Sequence, residues 1–229
     1  MIEDPPLLSI RRNFPRPSSD IVNAFKTVPT GFVVDCMAGR GGLDFEIKAA
    51  DPQHARFVGV ALTCAAGPAD NLAMMAAIHF CQPGDVIMVS ADSFTATCVT
   101  GDLLVGMAKN QGAVAVVTDG LVRDLEGILE VGLPVFSRGI TPNSCARNGP
   151  GSVGEPITIG DVAVASGDIV VGDDDGVVVI PQSHAKQVIW QLEQVKAAEA
   201  NLTNRVKAGM KVGEIIGDLL ESDRVKYLD

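Results

Sequence analysis

Residues 100–124, TGDLLVGMAKNQGAVAVVTDGLVRD, hold the pattern from which both the fold and the chemistry of this chain are read. Gly101 frees the backbone ahead of DLLVGMAKN, in which Leu103, Leu104, Met107 and Ala108 share one helical face. Gly112 stands where a helix end favours a residue that tolerates positive φ. Ala113 to Val117 is a near-continuous apolar run, the mark of a strand covered on both faces, and it delivers Thr118-Asp119-Gly120 and then Arg123-Asp124 at its carboxyl end. Turn, helix, turn and buried strand make up the unit of an α/β sheet, and ligands bind at the carboxyl edge of such a sheet.

The Arg-Asp pair divides a chemical task. Arg123 offers a planar, permanently charged fork suited to a carbonyl or enolate oxygen. Asp124 is a hard oxygen ligand suited to Mg²⁺ or Mn²⁺. The N–H groups of Gly101, Asp102, Leu103 and Leu104 at the helix amino end add a place for a substrate carboxylate. A carboxylate, an adjacent carbonyl oxygen and a divalent cation together describe a 2-oxo acid. Taken alone, an Arg-Asp dipeptide is more often a surface ion pair, and Asp102 an ordinary first-turn acid.

Outward from this stretch the chain alternates strands and helices. Arg56 to Leu62 and Val86 to Val89 read as buried strands, and between them Asp70 is placed to cap NLAMMAAIHF, which Pro83-Gly84 ends. Met74, Met75 and Ile78 on that helix read as core, and Asn71 reads either as a capping residue or as a polar group near the site. A short helix follows at 125–130, then a strand at Val135-Phe136. From Glu155 to Pro181 short apolar runs separated by Gly-Asp turns read as antiparallel hairpins, with Asp173-Asp174-Asp175 a polar turn and not a metal cluster. Residues 1–30 hold five prolines and are expected to form an arm or short helix outside the sheet, with Ser19-Asp20 capping IVNAFKTV. Residues 31–182 then form the α/β core and residues 183–229 a helical tail packed on a neighbouring subunit. Along the tail Val188, Leu192, Val195, Glu199, Leu202 and Val206 follow seam spacing, so Glu199 stands where an apolar residue is expected. Charges out of place in this way tend to be functional positions, the alternative being a rim position or a seam ion pair with Arg205.

Composition narrows the classes. With 229 residues, 47% of them hydrophobic, the chain can bury a full core. A net charge of −10 without a basic run argues against nucleic-acid binding. No apolar run reaches the length of a membrane span and the amino terminus lacks signal-peptide order, so the expectation is a cytoplasmic protein. Five cysteines without CxxC spacing suggest buried thiols, not a disulfide framework or zinc site. The three histidines lack a suggestive partner, which disfavours a hydrolase triad, and Lys109 is the lysine placed nearest for a Schiff base.

Asp102, twenty residues and then Arg123-Asp124 resembles the signature of the 4-hydroxy-4-methyl-2-oxoglutarate/4-carboxy-4-hydroxy-2-oxoadipate aldolases, a family similar to the ribonuclease-activity regulator A proteins. GPADN (67–71), QPGDVIMV (82–89), GLPVFSRG (132–139), GPGSVGEP (149–156) and GDIVVGDDDGVVVIP (167–181) carry the resemblance over residues 30–210. It implies a swivelling-type α/β/β/α domain with mixed sheets, assembled as trimers or hexamers with sites between subunits. It further implies a metal-dependent class II pyruvate aldolase with Mg²⁺ or Mn²⁺ on Asp124, Arg123 on the developing enolate, and Asp102 with a neighbour's Glu199 handling the proton. Substrate contacts are expected from Gly101, Asp102, Leu103, Leu104, Arg123 and Asn71. The related regulators imply the other possibility, a non-catalytic partner of a ribonuclease. One departure stands out: an acid is frequent in the family three residues after Asp124, and this chain has Gly127, with Glu126 one position early.

Overall fold

Four layers, helix on sheet on sheet on helix, follow from the alternation of apolar residues along the strands. The computed structural model describes residues 6–228. In chain order the elements are β1 (Leu8–Ile10), α1 (Ser19–Asn23), α2 (Thr30–Cys36), β2 (Lys48–Ala49), β3 (Phe57–Ala65), α3 (Leu72–Phe80), β4 (Asp85–Ser90), β5 (Cys98–Thr100), α4 (Asp102–Gln111), β6 (Ala115–Thr118) and β7 (Leu121–Val122). The second half adds α5 (Leu125–Val131), β8 (Val135–Ser137), β9 (Gly151–Val153), β10 (Ile157–Ile159), β11 (Val162–Val164), β12 (Ile169–Asp173), β13 (Gly176–Ile180), α6 (Ala185–Lys207) and α7 (Glu214–Leu220).

The main sheet runs β1-β9-β3-β4-β6-β8-β2, with β12 pairing antiparallel to β3 and carrying β13. Strands β3, β4, β6 and β8 are parallel neighbours, so their connections cross over through helices α3, α4 and α5. Period two then sorts the side chains. Ile87, Val89 and Val116 point at α3, α4 and α5, where Met74, Ala77, Val105, Ala108 and Ile128 meet them. Val86, Met88, Ala115 and Val117 point the other way, onto Ile157, Ile159, Val170, Val177 and Val179. The opposite face of β12 and β13, Ile169, Val171, Val178 and Ile180, closes on Phe25, Val33, Val188 and Leu192. Each fully buried Ile, Leu or Met in these layers contributes about 1.5–3 kcal/mol of transfer free energy.

The hairpins expected at 155–181 form as β10-β11 and β12-β13, and the three acids close the second. Asp173 is buried there, accepting from Thr30 N, Thr30 Oγ1 and Asp175 N, so it clamps the start of α2.

The amino-terminal arm differs from expectation. Residues 1–5, like residue 229 of the tail, lie outside the described residues, but Leu8–Ile10 pairs with β9 as an edge strand of the main sheet. Arg16 then sends a two-pronged ion pair, at 2.5 and 3.0 Å, to the fully buried Asp85 of β4. The physical reason is that a buried carboxylate is costly without a charged partner, and the arm supplies one beside the Gln82 N–H. Ser18, not Ser19 or Asp20, occupies the position before α1, and the helix ends after five residues. Among the described residues no helix is long and apolar enough to cross a membrane.

The tail changes character along its length. The first half of α6 buries Ala185, Val188 and Leu192, whereas residues 196–207 are exposed on every side.

Candidate active site

Helix α4 forms as read, from Asp102 to Gln111, with Gly112 left-handed at φ 95°. Its burial is narrower than its apolar face: Val105 and Ala108 are buried, while Leu103 and Met107 are 72% and 52% exposed along the rim of a cleft. The helix is seated by a parallel pairing of β5 with β7, in which Arg123 N donates to Thr100 O at 3.0 Å. Position 101 must be glycine for space, not for conformation. Its φ of −145° is ordinary, but a Cβ there would lie 2.7 Å from Asp124 Oδ2 and 3.1 Å from Arg123 Cγ. Gly101 therefore lets the Arg-Asp pair close against the amino end of α4.

The pair itself is tied at 3.0 Å from Arg123 Nε to Asp124 Oδ2, and Arg123 Nη1 donates to Ser144 Oγ at 2.5 Å. Both charged side chains are part-exposed, so the ion pair adds little to stability, about 0–1 kcal/mol. Asp124 is left-handed at φ 56° and opens α5. The left-handed turn brings the Asp124 carboxylate back against Arg123 at the cleft.

The cleft holds about 230 Å³ and is lined by Asn71, Gly101, Asp102, Leu103, Leu104, Arg123 and Asp124 among others. All of the predicted residues except Glu199 thus meet in one place. Asp102 Oδ1 already accepts from Leu103 N at 2.7 Å, so one of the four helix-end donors is engaged by the chain itself. On its other side the carboxylate rests on Gly127, where an added Cβ would stand 2.5 Å from Asp102 Oδ2. Gly127 is the room that Asp102 occupies, and any side chain here would meet it. Glu126 borders an open, acidic hollow with Asp102, Asp124 and Glu130.

Asn71 precedes α3, but its side chain makes no cap; Asp70 Oδ1 accepts from Leu72 N instead, at 2.8 Å. Asn71 is 5% exposed and its Oδ1 has no hydrogen-bond partner among the described residues. A buried amide oxygen without a donor is costly to folding, and Asn71 stands among the residues that line the cleft.

Glu199 lies on the exposed half of α6 and does not line this cleft within one chain. Lys109, the Schiff-base candidate, donates to Val131 O at the end of α5 and stays outside. The sequence reading missed one wall entirely. Met75, assigned to the core, is 38% exposed and lines the cleft, as do Cys98, Thr100, Ser144, Cys145 and Arg147. Only the proximity of Cys145 and Arg147 to the GPGSVGEP motif could have pointed there.

The RraA-like family, described as Aldolase/RraA, matches residues 19–179. This chain belongs to that family. A Halalkalibacterium halodurans protein named "Putative 4-hydroxy-4-methyl-2-oxoglutarate aldolase" is 34% identical over 178 residues, 78% of this chain and 84% of that one. Among solved structures, Streptomyces coelicolor RraAS2, described as an unusual member of the RNase ES inhibitor RraA protein family, is 29% identical with a TM-score of 0.75, covering 83% of this chain and all of its own. The RNA-processing inhibitor RraA from Thermus thermophilis is 27% identical with a TM-score of 0.62, covering 68% and 93%. The Aldolase/RraA fold is therefore the fold of this chain, and its α/β/β/α layering agrees with the expectation from sequence.

Proposed function

We propose that this chain is a divalent-metal-dependent class II pyruvate aldolase that cleaves 4-hydroxy-2-oxo acids of the 4-hydroxy-4-methyl-2-oxoglutarate type to pyruvate and a second oxo acid or aldehyde. The observation that carries the reading is the convergence of Arg123, Asp124, Asp102 and an unpartnered Asn71 amide on one cleft at the amino end of α4. The name of the Halalkalibacterium relative supports it.

The donor chemistry suits Mg²⁺ or Mn²⁺. Among the described residues no three His, Cys, Asp or Glu side chains gather into a cage. A small hard cation needs none, since one carboxylate with waters and substrate oxygens completes its shell, and Asp124 is the carboxylate placed to provide it. When bound, such a cation draws electron density from a 2-oxo oxygen.

The residues of the chain divide the remaining work. Backbone N–H groups at the start of α4 hold the substrate carboxylate, and Leu103 N exchanges Asp102 Oδ1 for it. That exchange releases the Asp102 carboxylate to hold a water and move a proton. Arg123 donates to the 2-oxo oxygen and stabilises the charge that gathers there as the C3–C4 bond breaks. Glu199 of an adjacent copy reaches the same water in a trimer or hexamer. The exposed apolar residues Trp190, Leu202 and Val206 on α6 support such packing. Decarboxylation of oxaloacetate passes through the same enolate and follows as a side activity.

The test is pyruvate release from 4-hydroxy-4-methyl-2-oxoglutarate and oxaloacetate by the purified chain with Mg²⁺ or Mn²⁺, before and after EDTA. Turnover that EDTA abolishes and cation restores supports the reading. Metal-loaded protein that leaves both compounds untouched rejects it. The likeness to the Streptomyces and Thermus proteins favours a second reading, a regulator that binds a ribonuclease. Inhibition of a ribonuclease by protein without aldolase turnover would select it.

A further inference from the structure

Two of the five free cysteines share the wall of the cleft, and nothing in the aldolase reading uses them. Cys98 N donates to Asn143 O at 2.8 Å, and Asn143 Nδ2 donates to Ala96 O at 3.0 Å, so segments 96–99 and 143–145 run side by side at hydrogen-bonded spacing. Cys145 Sγ reaches toward Val99 O at 4.0 Å, back across that seam. That approach sets the Cys145 thiol beside Val99, the residue next to Cys98, on the same wall of the cleft. We propose that Cys98 and Cys145 form a dithiol site in the cleft wall, which exchanges with a small-molecule disulfide such as oxidised glutathione to close an intramolecular disulfide.

The order of events follows from exposure. Cys98 is 3% exposed and shielded, whereas Cys145 is half-buried and meets the reagent. The Cys145 thiolate attacks one sulfur of the disulfide, which breaks and expels one small thiol after its proton is taken up. Cys98 then attacks the Cys145 sulfur and expels the second. The protein loses two hydrogens and forms one S–S bond, and the oxidant is reduced to two thiols. Burial, followed by the neighbouring Cys98, pushes the Cys145 thiol up to about 11. Closure therefore accelerates roughly tenfold per pH unit through the neutral and mildly alkaline range, as the thiolate fraction rises. The other three report any loss of selectivity. Burial raises Cys36 and Cys64 above the usual thiol range, and Cys81 to about 12. Closure would tie residues 143–147, which carry Ser144 and Arg147, to β5.

The experiment incubates the full chain with oxidised glutathione across a pH series, alkylates it and maps peptides by mass. A Cys98–Cys145 linked peptide, with Cys36, Cys64 and Cys81 alkylated, supports the proposal. So does a mixed disulfide stalled on Cys145 in Cys98→Ser, and no stable adduct in Cys145→Ser. Glutathione retained on Cys145 of the unaltered chain, links to other cysteines, or a pH-independent rate would overturn it. The readout is mass and needs no turnover, so its failure is separate from failure of the aldolase reading.

Discussion

One wall of the cleft is built by the amino end of α4 and the end of β7; the wall facing it is built by the irregular segment 143–147. The first wall carries Asp102, Arg123 and Asp124 on regular elements locked into the core through Val105, Ala108 and Val122. The second carries Ser144, Cys145 and Arg147 on irregular backbone, tied down by hydrogen bonds to segments 69–71 and 96–98, among them Ala146 N to Ala69 O, Asn71 N to Ala146 O and Cys98 N to Asn143 O, and by Asp70 accepting from the N–H groups of Asn148 and Gly149. Chemistry that depends on sub-ångström placement belongs on the first wall, and adaptable binding on the second.

The largest effect expected is from Arg123→Ala, which removes a donor aimed at developing charge and should cost about 10³-fold in kcat. Circular dichroism and melting temperature should stay unchanged, since the pair it leaves is part-exposed. Turnover near that of the unaltered protein would place the charge stabilisation elsewhere. Gly127→Ala sharpens the point without touching a functional group. A methyl there meets Asp102 Oδ2 at 2.5 Å and Asp102 Cβ at 2.6 Å and must displace the residue, so kcat should fall about 10²-fold while α5 still forms. Unaltered kcat would show that the position of Asp102 is not critical.

This difference between walls is also why the sequence could be read on one side only. Helix period, a closing glycine and an apolar run announce α4 and β6, and their spacing fixes where Arg123 emerges. The hairpins β10-β11 and β12-β13 were legible for the same reason, through period-two alternation between Gly-Asp turns. Residues 143–147 have no period, and their position depends on Asp70, more than seventy residues earlier in the chain. Leu8–Ile10 was misread because an edge strand of three residues has too short a pattern to show, and its partner β9 is remote. Met75 was misread because it sits on the same helix as Met74, and only the presence of α4 and the cleft separates the two environments.

Asp70→Ala tests the anchoring of the loop wall. The carboxylate accepts from Leu72 N, Asn148 N and Gly149 N, so its loss frees three donors around a part-exposed turn. The cost should be about 2–3 kcal/mol, read as a lowered denaturation midpoint with an unchanged slope. Proteolysis should nick residues 143–149 before any part of α4. Equal protection of both segments would mean that the loop wall is as firmly set as the helical one.

The smallest effect expected is also the most direct comparison of the two walls. Ser144 Oγ accepts from Arg123 Nη1, so Ser144→Ala removes one hydrogen bond from the guanidinium while the contact with Asp124 Oδ2 persists. A bond at an open cleft is worth about 1 kcal/mol net, or roughly fivefold in an equilibrium constant. If the loop wall serves binding alone, that loss falls on KM, because it is felt equally before and during bond cleavage, and kcat stays within about a factor of two. A fall in kcat approaching that of Arg123→Ala would mean that Ser144 sets the reach of the guanidinium toward the reacting oxygen, and the division between a catalytic wall and an adaptable one would not hold.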